Sequence, residues 1–238
     1  MELSVVIPAY NEEKRIEPTL KKVINYLDRH FDKYEIIVVD DCSTDDTNKI
    51  ISRYEHDHVR VLRNETNKGK GYSVNCGILN AKYSLVLFSD SDLATPIEEL
   101  GKFMEYIDDY DIIIASRNLK ESRIKVKQPA HRQLIGKSFP LFVNLIALRG
   151  FKDTQCGFKL FKTAIARRIA SLQTLERFSF DVEILFIAKK LGYKIKEAPV
   201  SWIDKEGSKV NPIKDSIKML IDLFRIRYNN LVGKYGVK

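Results

Sequence analysis

Between Leu3 and Ala115, short apolar runs of strand length alternate with amphipathic stretches, and this rhythm restricts the fold more than any other feature. Residues 3–7, 35–39, 59–62, 85–88 and 112–115 are rich in Val, Ile and Leu and read as strands. Between the first two, Ile16, Leu20, Val23, Ile24 and Leu27 share one helical stripe over 16–31. Ser43 offers an N-cap to a helix running to about residue 54. Residues 71–80 read as a helix, and Thr95-Pro96 opens another with Pro at its first position. Such βαβ alternation predicts an α/β fold with a mainly parallel, doubly wound sheet.

The strand ends carry the chemistry. Leu85-Val86-Leu87-Phe88 runs into Ser89-Asp90-Ser91-Asp92, and 35–39 runs into Asp40-Asp41. The first strand ends in Pro8-Ala9-Tyr10-Asn11-Glu12. Open α/β sheets bind ligands at the carboxyl ends of their strands. Asp favours turns, so one acidic pair alone says little. Two pairs at neighbouring strand ends, with a polar third, predict a site for a large, metal-bound anion such as a nucleotide diphosphate. Asp90 and Asp92, one residue apart, can serve one hard divalent cation, Mg2+ or Mn2+.

The second half differs. Six Lys/Arg lie between Asn118 and Lys137 against one acid, Glu121, and eight lie between Lys205 and Lys238 against Glu206, Asp215 and Asp222. Residues 134–148 are apolar, 158–161 and 194–202 read as strands, and 179–190 as a helix carrying Asp181 and Glu183. Ile213, Ile217, Leu220, Ile221, Phe224, Tyr228 and Leu231 share a helical stripe, which suits an ordinary core helix as well as an interfacial one. No run reaches the roughly 18 apolar residues needed to span a bilayer. The three scattered cysteines suggest neither a zinc site nor a disulfide framework, and a reducing compartment is the default. The chain enters a strand at Leu3, with no room for a signal peptide. Gly69-Lys70-Gly71 fails as a dinucleotide fingerprint because the third glycine falls late, at Gly77, and Gly136-Lys137-Ser138 fails as a phosphate loop because His131 stands where its first glycine belongs. The acidic strand ends would repel a phosphate backbone, and with basic runs read as carrying no interleaved exposed aromatics they argue against nucleic acid. With no linker or repeat, 1–238 reads as a single domain.

Four segments carry a resemblance: Ser4-Val5-Val6-Ile7-Pro8-Ala9-Tyr10-Asn11-Glu12, Val38-Val39-Asp40-Asp41-Cys42-Ser43-Thr44-Asp45, Asn67-Lys68-Gly69-Lys70-Gly71 and Ser89-Asp90-Ser91-Asp92. On these the chain resembles an inverting family 2 glycosyltransferase of the GT-A fold over nearly its whole length. Within that family it is similar to the dolichyl-phosphate glucosyltransferases, on Asp92-Leu93-Ala94-Thr95-Pro96, Asp153-Thr154-Gln155-Cys156-Gly157-Phe158-Lys159, Phe180-Asp181-Val182-Glu183 and Gly207-Ser208-Lys209.

The resemblance implies a donor half, 1–117, and an acceptor and membrane-facing half, 118–238. Pro8, Tyr10, Glu12, Val39 and Asp41 match the uracil and ribose pocket, and Asp40 and Lys70 join the donor-binding set. Asp90, Ser91 and Asp92 match the metal and sugar-nucleotide motif. Arg117, Arg132 and Lys209 match basic residues around the donor diphosphate and the acceptor phosphate. Asp181 and Glu183 become orienting groups rather than obligatory bases. Cys42 stands where glycine is usual, and Ala94 stands where mannosyl enzymes often carry Gln, which favours the glucosyl branch. The implied reaction moves glucose from a UDP-sugar to dolichyl (polyprenyl) phosphate. A different sugar, or a hydroxyl acceptor in polysaccharide synthesis, are the alternatives. The implied place is cytoplasmic, peripheral on a membrane surface, held by basic residues and the apolar 134–148 segment.

Overall fold

Val and Ile dominate both positions of the strand period, as expected of strands covered on both faces. In the computed structural model, which describes residues 2–56, 58–126, 139–205 and 214–236, they form a seven-stranded sheet. Its strands are β1 (Glu2–Ala9), β2 (Lys33–Asp40), β3 (Val59–Arg63), β4 (Leu85–Ser89), β5 (Ile112–Ser116), β7 (Phe158–Lys162) and β8 (Ile195–Pro199), in the order β3-β2-β1-β4-β7-β5-β8. All neighbouring pairs are parallel except those made by β7, which runs antiparallel to β4 and β5. A two-stranded parallel sheet joins β6 (Arg123–Val126) to β9 (Ser201–Ile203).

Alternate strand residues feed two cores. Val6, Ile37, Val39, Phe88 and Ile114 face helices α3 (Lys70–Asn80), α5 (Thr163–Ala170), α6 (Phe180–Lys190) and α7 (Lys214–Leu231). Val5, Ile7, Val38, Leu87 and Ile113 face α1 (Ile16–His30), α2 (Thr47–Ser52) and the segment of Ile97–Glu99 and α4 (Leu100–Met104). Each fully buried Val, Leu or Ile contributes roughly 1.5–3 kcal/mol. The close seat of α3 on β1 depends on Gly77, where a Cβ would fall 2.3 Å from Val6 Cγ1.

Several local expectations shift. Ser43 does not cap a helix; its hydroxyl accepts the Asn11 N–H at 3.0 Å, and α2 starts at Thr47. Pro96 stays extended, with ψ 146°, and the next turn is a 3₁₀ turn. Residues 194–202 form two strands broken at Val200, because β8 pairs with β5 while β9 pairs with β6. The basic segment after Asn118 contains β6, and α5 arises where no helix was expected. Of the apolar 134–148 segment, 134–138 lie outside the described residues, and 139–148 is mostly helical, with a π turn over Val143–Ala147.

Candidate active site

The chain winds from β1 outward to β2 and β3, then returns to place β4 on the other side of β1. The carboxyl ends of β1 and β4 therefore flank a topological switch point, where neighbouring connections leave on opposite sides and open a crevice. A cleft of about 580 Å³ lies there. Pro8, Tyr10 and Glu12 come to it from the end of β1, Asp41 from β2, and Asp90, Ser91 and Asp92 from β4. Lys70 reaches it from the start of α3, Arg117 from the end of β5, and Asp181 from the first turn of α6.

The two β4 carboxylates are held differently. Asp90 Oδ1 pairs with Lys70 Nζ at 2.6 Å, and the Asp90 N–H donates to Gly157 O at 3.0 Å. Gly157 leaves the space that the Asp90 carboxylate fills: a Cβ there would lie 2.1 Å from Oδ2. Asp92 Oδ1 accepts the Ala94 N–H at 2.9 Å, across a turn that holds Leu93 at φ 48°. Burial, then the neighbouring Asp90 charge, pushes the Asp92 carboxyl above its ordinary range. Burial alone would lower Lys70, but Asp90, Asp181 and Asp92 around it hold its ammonium above the usual value.

Arg117 faces these acids as a fixed cation. Its Nε and Nη2 grip Asp153 at 2.6 and 2.9 Å, and its backbone N–H adds a third bond at 3.0 Å. Bidentate pairing fixes the guanidinium plane as well as its position. Asp153 is in turn held by its own N–H donating to Glu197 Oε1 at 2.7 Å, and Arg117 lies 5.6 Å from the centre of the Trp202 ring. Deeper in the site, Asp181 pairs with the fully buried Lys159, whose Nζ also donates to Cys156 O at 2.7 Å. Burial raises the Asp181 carboxyl, against the pull of Lys159 and Lys70. Burial also pushes the Cys156 thiol up to about 11, so it stays protonated near neutral pH.

Asp41 reaches the cleft with both oxygens engaged. They accept from Asn64 Nδ2 at 2.7 Å, the Lys68 N–H at 2.9 Å and the Gly69 N–H at 2.8 Å. It thereby anchors the 67–69 loop that delivers Lys70.

Three expected site residues stand elsewhere. Val39 is wholly buried in the helix-facing core. Asp40 does not line the cleft; it accepts from the Ser43 N–H at 3.0 Å and Asn48 Nδ2 at 3.1 Å, fixing the turn after β2. Glu183 points into the core, where it accepts the N–H groups of Thr174 and Leu175 and the hydroxyls of Thr174 and Tyr235, at 2.6 to 3.0 Å. Positions two apart on a helix lie about 200° apart, so Asp181 and Glu183 do not share a face. Arg132 and Lys209 lie outside the described residues. Sequence reasoning missed Arg15 and Trp202, which line the cleft, and quoted Asn67, Gln155, Asp153 and Lys159 in motifs without giving them a role. Arg15 binds Glu12 at 2.6 Å across the turn that precedes α1.

Comparison with known proteins identifies relatives of the chain and of its fold. A dolichyl-phosphate beta-glucosyltransferase of Dictyostelium discoideum is 38% identical over 251 residues, covering 99% of this chain and 77% of that protein. The human protein of that name is 35% identical over 253 residues, covering 100% and 78%. Among solved structures, glucosyl-3-phosphoglycerate synthase from Mycobacterium tuberculosis, in complex with Mn2+, UDP and phosphoglyceric acid, has a TM-score of 0.70 at 20% identity, covering 99% of this chain and 79% of that one. That likeness is one of fold, and it matches the GT-A architecture. The family profile described as Glycosyl transferase family 2 spans residues 4–171, from β1 through the switch-point acids to α5, and the chain belongs to that family of glycosyltransferases.

Proposed function

We propose that this protein transfers glucose from UDP-glucose to a dolichyl or other polyprenyl phosphate, with inversion at the anomeric carbon and with a divalent cation. The observation that carries the reading is one cleft combining a carboxylate pair, Asp90 and Asp92, with fixed cations, Arg117 and Lys70. Such a set suits two anions that must meet although they repel. The names of the relatives matched over nearly all of this chain support the glucosyl group and the lipid phosphate, and the UDP and Mn2+ of the fold relative agree with the donor and cation.

The donor set fits a cation. Asp90 and Asp92 crowd one strand end, and burial, then the neighbouring Asp90 charge, pushes the Asp92 carboxyl up, a cost that a bound cation would relieve. Mg2+ commonly takes one or two carboxylates plus substrate phosphates and waters. Among the described residues no three His, Cys, Asp or Glu side chains converge, so two carboxylates and the donor's own oxygens are the set on offer. A bound Mg2+ or Mn2+ would offset the charge that builds on the departing diphosphate.

The protein's own groups do the rest. The lipid phosphate is substantially ionised near neutral pH, since the second pKa of a phosphate monoester is about 6, and it needs little help from a base. One of its oxygens bonds to C1 of glucose as the bond from C1 to the UDP oxygen breaks, and UDP leaves with that electron pair. Arg117, fixed by Asp153, is placed to hold an anion in line, and Asp181, steadied by Lys159, orients the sugar side. This is catalysis by positioning and preorganised charge. In this scheme residues 1–117 serve the donor and 118–238 the acceptor, with Arg132 and Lys209 among the acceptor's cations. Among the described residues no helix is long and apolar enough to cross a membrane, and we take attachment to be peripheral.

The test offers labelled UDP-glucose, UDP-N-acetylglucosamine and GDP-mannose separately, with polyprenyl phosphate, and follows label into the organic phase. Label from UDP-glucose alone, abolished by chelator and by Asp92→Asn, is expected. Label only in a water-soluble hydroxyl acceptor, or undiminished transfer by Asp92→Asn in chelator, overturns the proposal.

A further inference from the structure

Helix α7 presents its apolar stripe to the outside. Ile217, Ile221, Phe224, Tyr228 and Leu231 are between 58% and 80% exposed. The opposite face supplies Met219, Leu223 and Ile226 to the core. It also buries Asp222 and Asn229, which bond to Ser179 Oγ at 2.7 Å and Thr174 Oγ1 at 2.9 Å. Those polar bonds fix the rotation of the helix, because turning the stripe inward would strip their partners from buried groups.

Charge borders the stripe. Among the described side chains of α7, the exposed charged ones are Lys218, Arg225 and Arg227, all cationic. At roughly 100° per residue, Lys218 and Arg225 lie along one edge of the stripe and Arg227 along the other. Beside it, Leu141 and Leu145 are 70% and 73% exposed, on the segment that packs against α7. At the far end, Leu231 borders a cavity of about 600 Å³ lined also by Arg149, Lys189 and Lys190. The inner side of these two segments belongs to the active-site cleft, through Phe139, Pro140, Asp215 and Met219.

We infer that the outer face of α7, extended by Leu141 and Leu145, docks on a bilayer containing anionic lipid and brings the cleft to the membrane surface. An apolar face edged by Lys and Arg is the pattern of a helix lying in the headgroup plane, its cations reaching out to the phosphates. A second copy fits less well. Two-fold pairing of this face would bring like cations together, with no exposed acid on the described part of the helix to answer them. The use of this contact in catalysis rests on the lipid-phosphate reading above; the contact itself does not.

The experiment floats the purified full chain with vesicles of phosphatidylcholine, with and without phosphatidylglycerol, and compares it with Ile221→Glu/Phe224→Glu and with Arg225→Gln/Arg227→Gln. Both pairs are exposed and outside the cleft, so thermal melting and UDP binding should be unchanged. Wild type should float with the anionic vesicles, less so in high salt, and the Glu pair should lower the bound fraction about tenfold or more. The Gln pair should lose the preference for anionic over neutral vesicles. The Glu pair should transfer normally to a short, water-soluble prenyl phosphate and poorly to a long one in vesicles. Flotation that the Glu pair leaves intact, absent flotation of wild type, or conversion of a dimer to a monomer by the Glu pair each overturns the inference. Flotation behaving as expected while neither acceptor is glucosylated would retain the docking face and reject the lipid-phosphate reading.

Discussion

Gly157→Ala isolates the position of the Asp90 carboxylate from everything else in the site. Gly157 does not occupy the left-handed region, so alanine suits its backbone. The new Cβ would meet Asp90 Oδ2 at 2.1 Å, Cγ at 2.2 Å and Oδ1 at 2.5 Å. Non-bonded heavy atoms settle at about 3.5 Å, so the carboxylate must retreat by roughly 1 Å or more. That movement also disturbs its 2.6 Å contact with Lys70. The displaced group is the end of a side chain in a cleft, so the cost to folding should stay within about 1 kcal/mol. The cost to chemistry should be larger, since a misplacement of about 1 Å can lose ~100-fold, near 2.7 kcal/mol of barrier. The assay is the initial rate of glucosyl transfer to a short prenyl phosphate across a Mn2+ titration, with thermal melting as control. We expect kcat/KM to fall about 100-fold, a right-shifted metal response and an almost unchanged melt. Wild-type kcat/KM in Gly157→Ala would refute the view that Asp90 must sit where it does.

Two further outcomes separate structural carboxylates from those of the cleft. Glu183→Ala removes an acceptor shared by four donors, so it should cost about 3 kcal/mol or more in urea denaturation while leaving kcat of the folded enzyme nearly unchanged. Burial works against ionised Asp153, but Arg117 outweighs it and holds the carboxyl below its ordinary 3.8. The stability this pair supplies is therefore complete above that value and lost as pH falls below it. Asp153→Asn should be less stable than wild type at neutral pH and flatter in its stability below about pH 4, as acid denaturation curves will read.

Much of this arrangement was legible because sheet chemistry is local. Val-rich runs that end in acids place carboxylates at strand ends whatever the partners, and β1, β2, β4 and β5 all appear within a residue or two of expectation. The antiparallel course of β7 was not legible, since its direction depends on the chain's path through segments with no period of their own. Asp40 and Asp41 are adjacent, so strand alternation sends them to different sides, and only Asp41 lines the cleft. The stripe of α7 was plain in the sequence, but its direction was not. Which way it faces is decided by Asp222 and Asn229 finding buried partners on other elements.

The most direct test of the central claim is the stereochemistry and linkage of the product. UDP-glucose carries its sugar in the α configuration, so a single in-line displacement by a phosphate oxygen gives a β-glucosyl phosphate. Proton and phosphorus NMR of the product from UDP-glucose, polyprenyl phosphate and Mn2+ should show a β anomeric proton coupled to phosphorus. An α-linked product, or glucose attached to a carbon-borne hydroxyl without phosphorus coupling, would contradict the account.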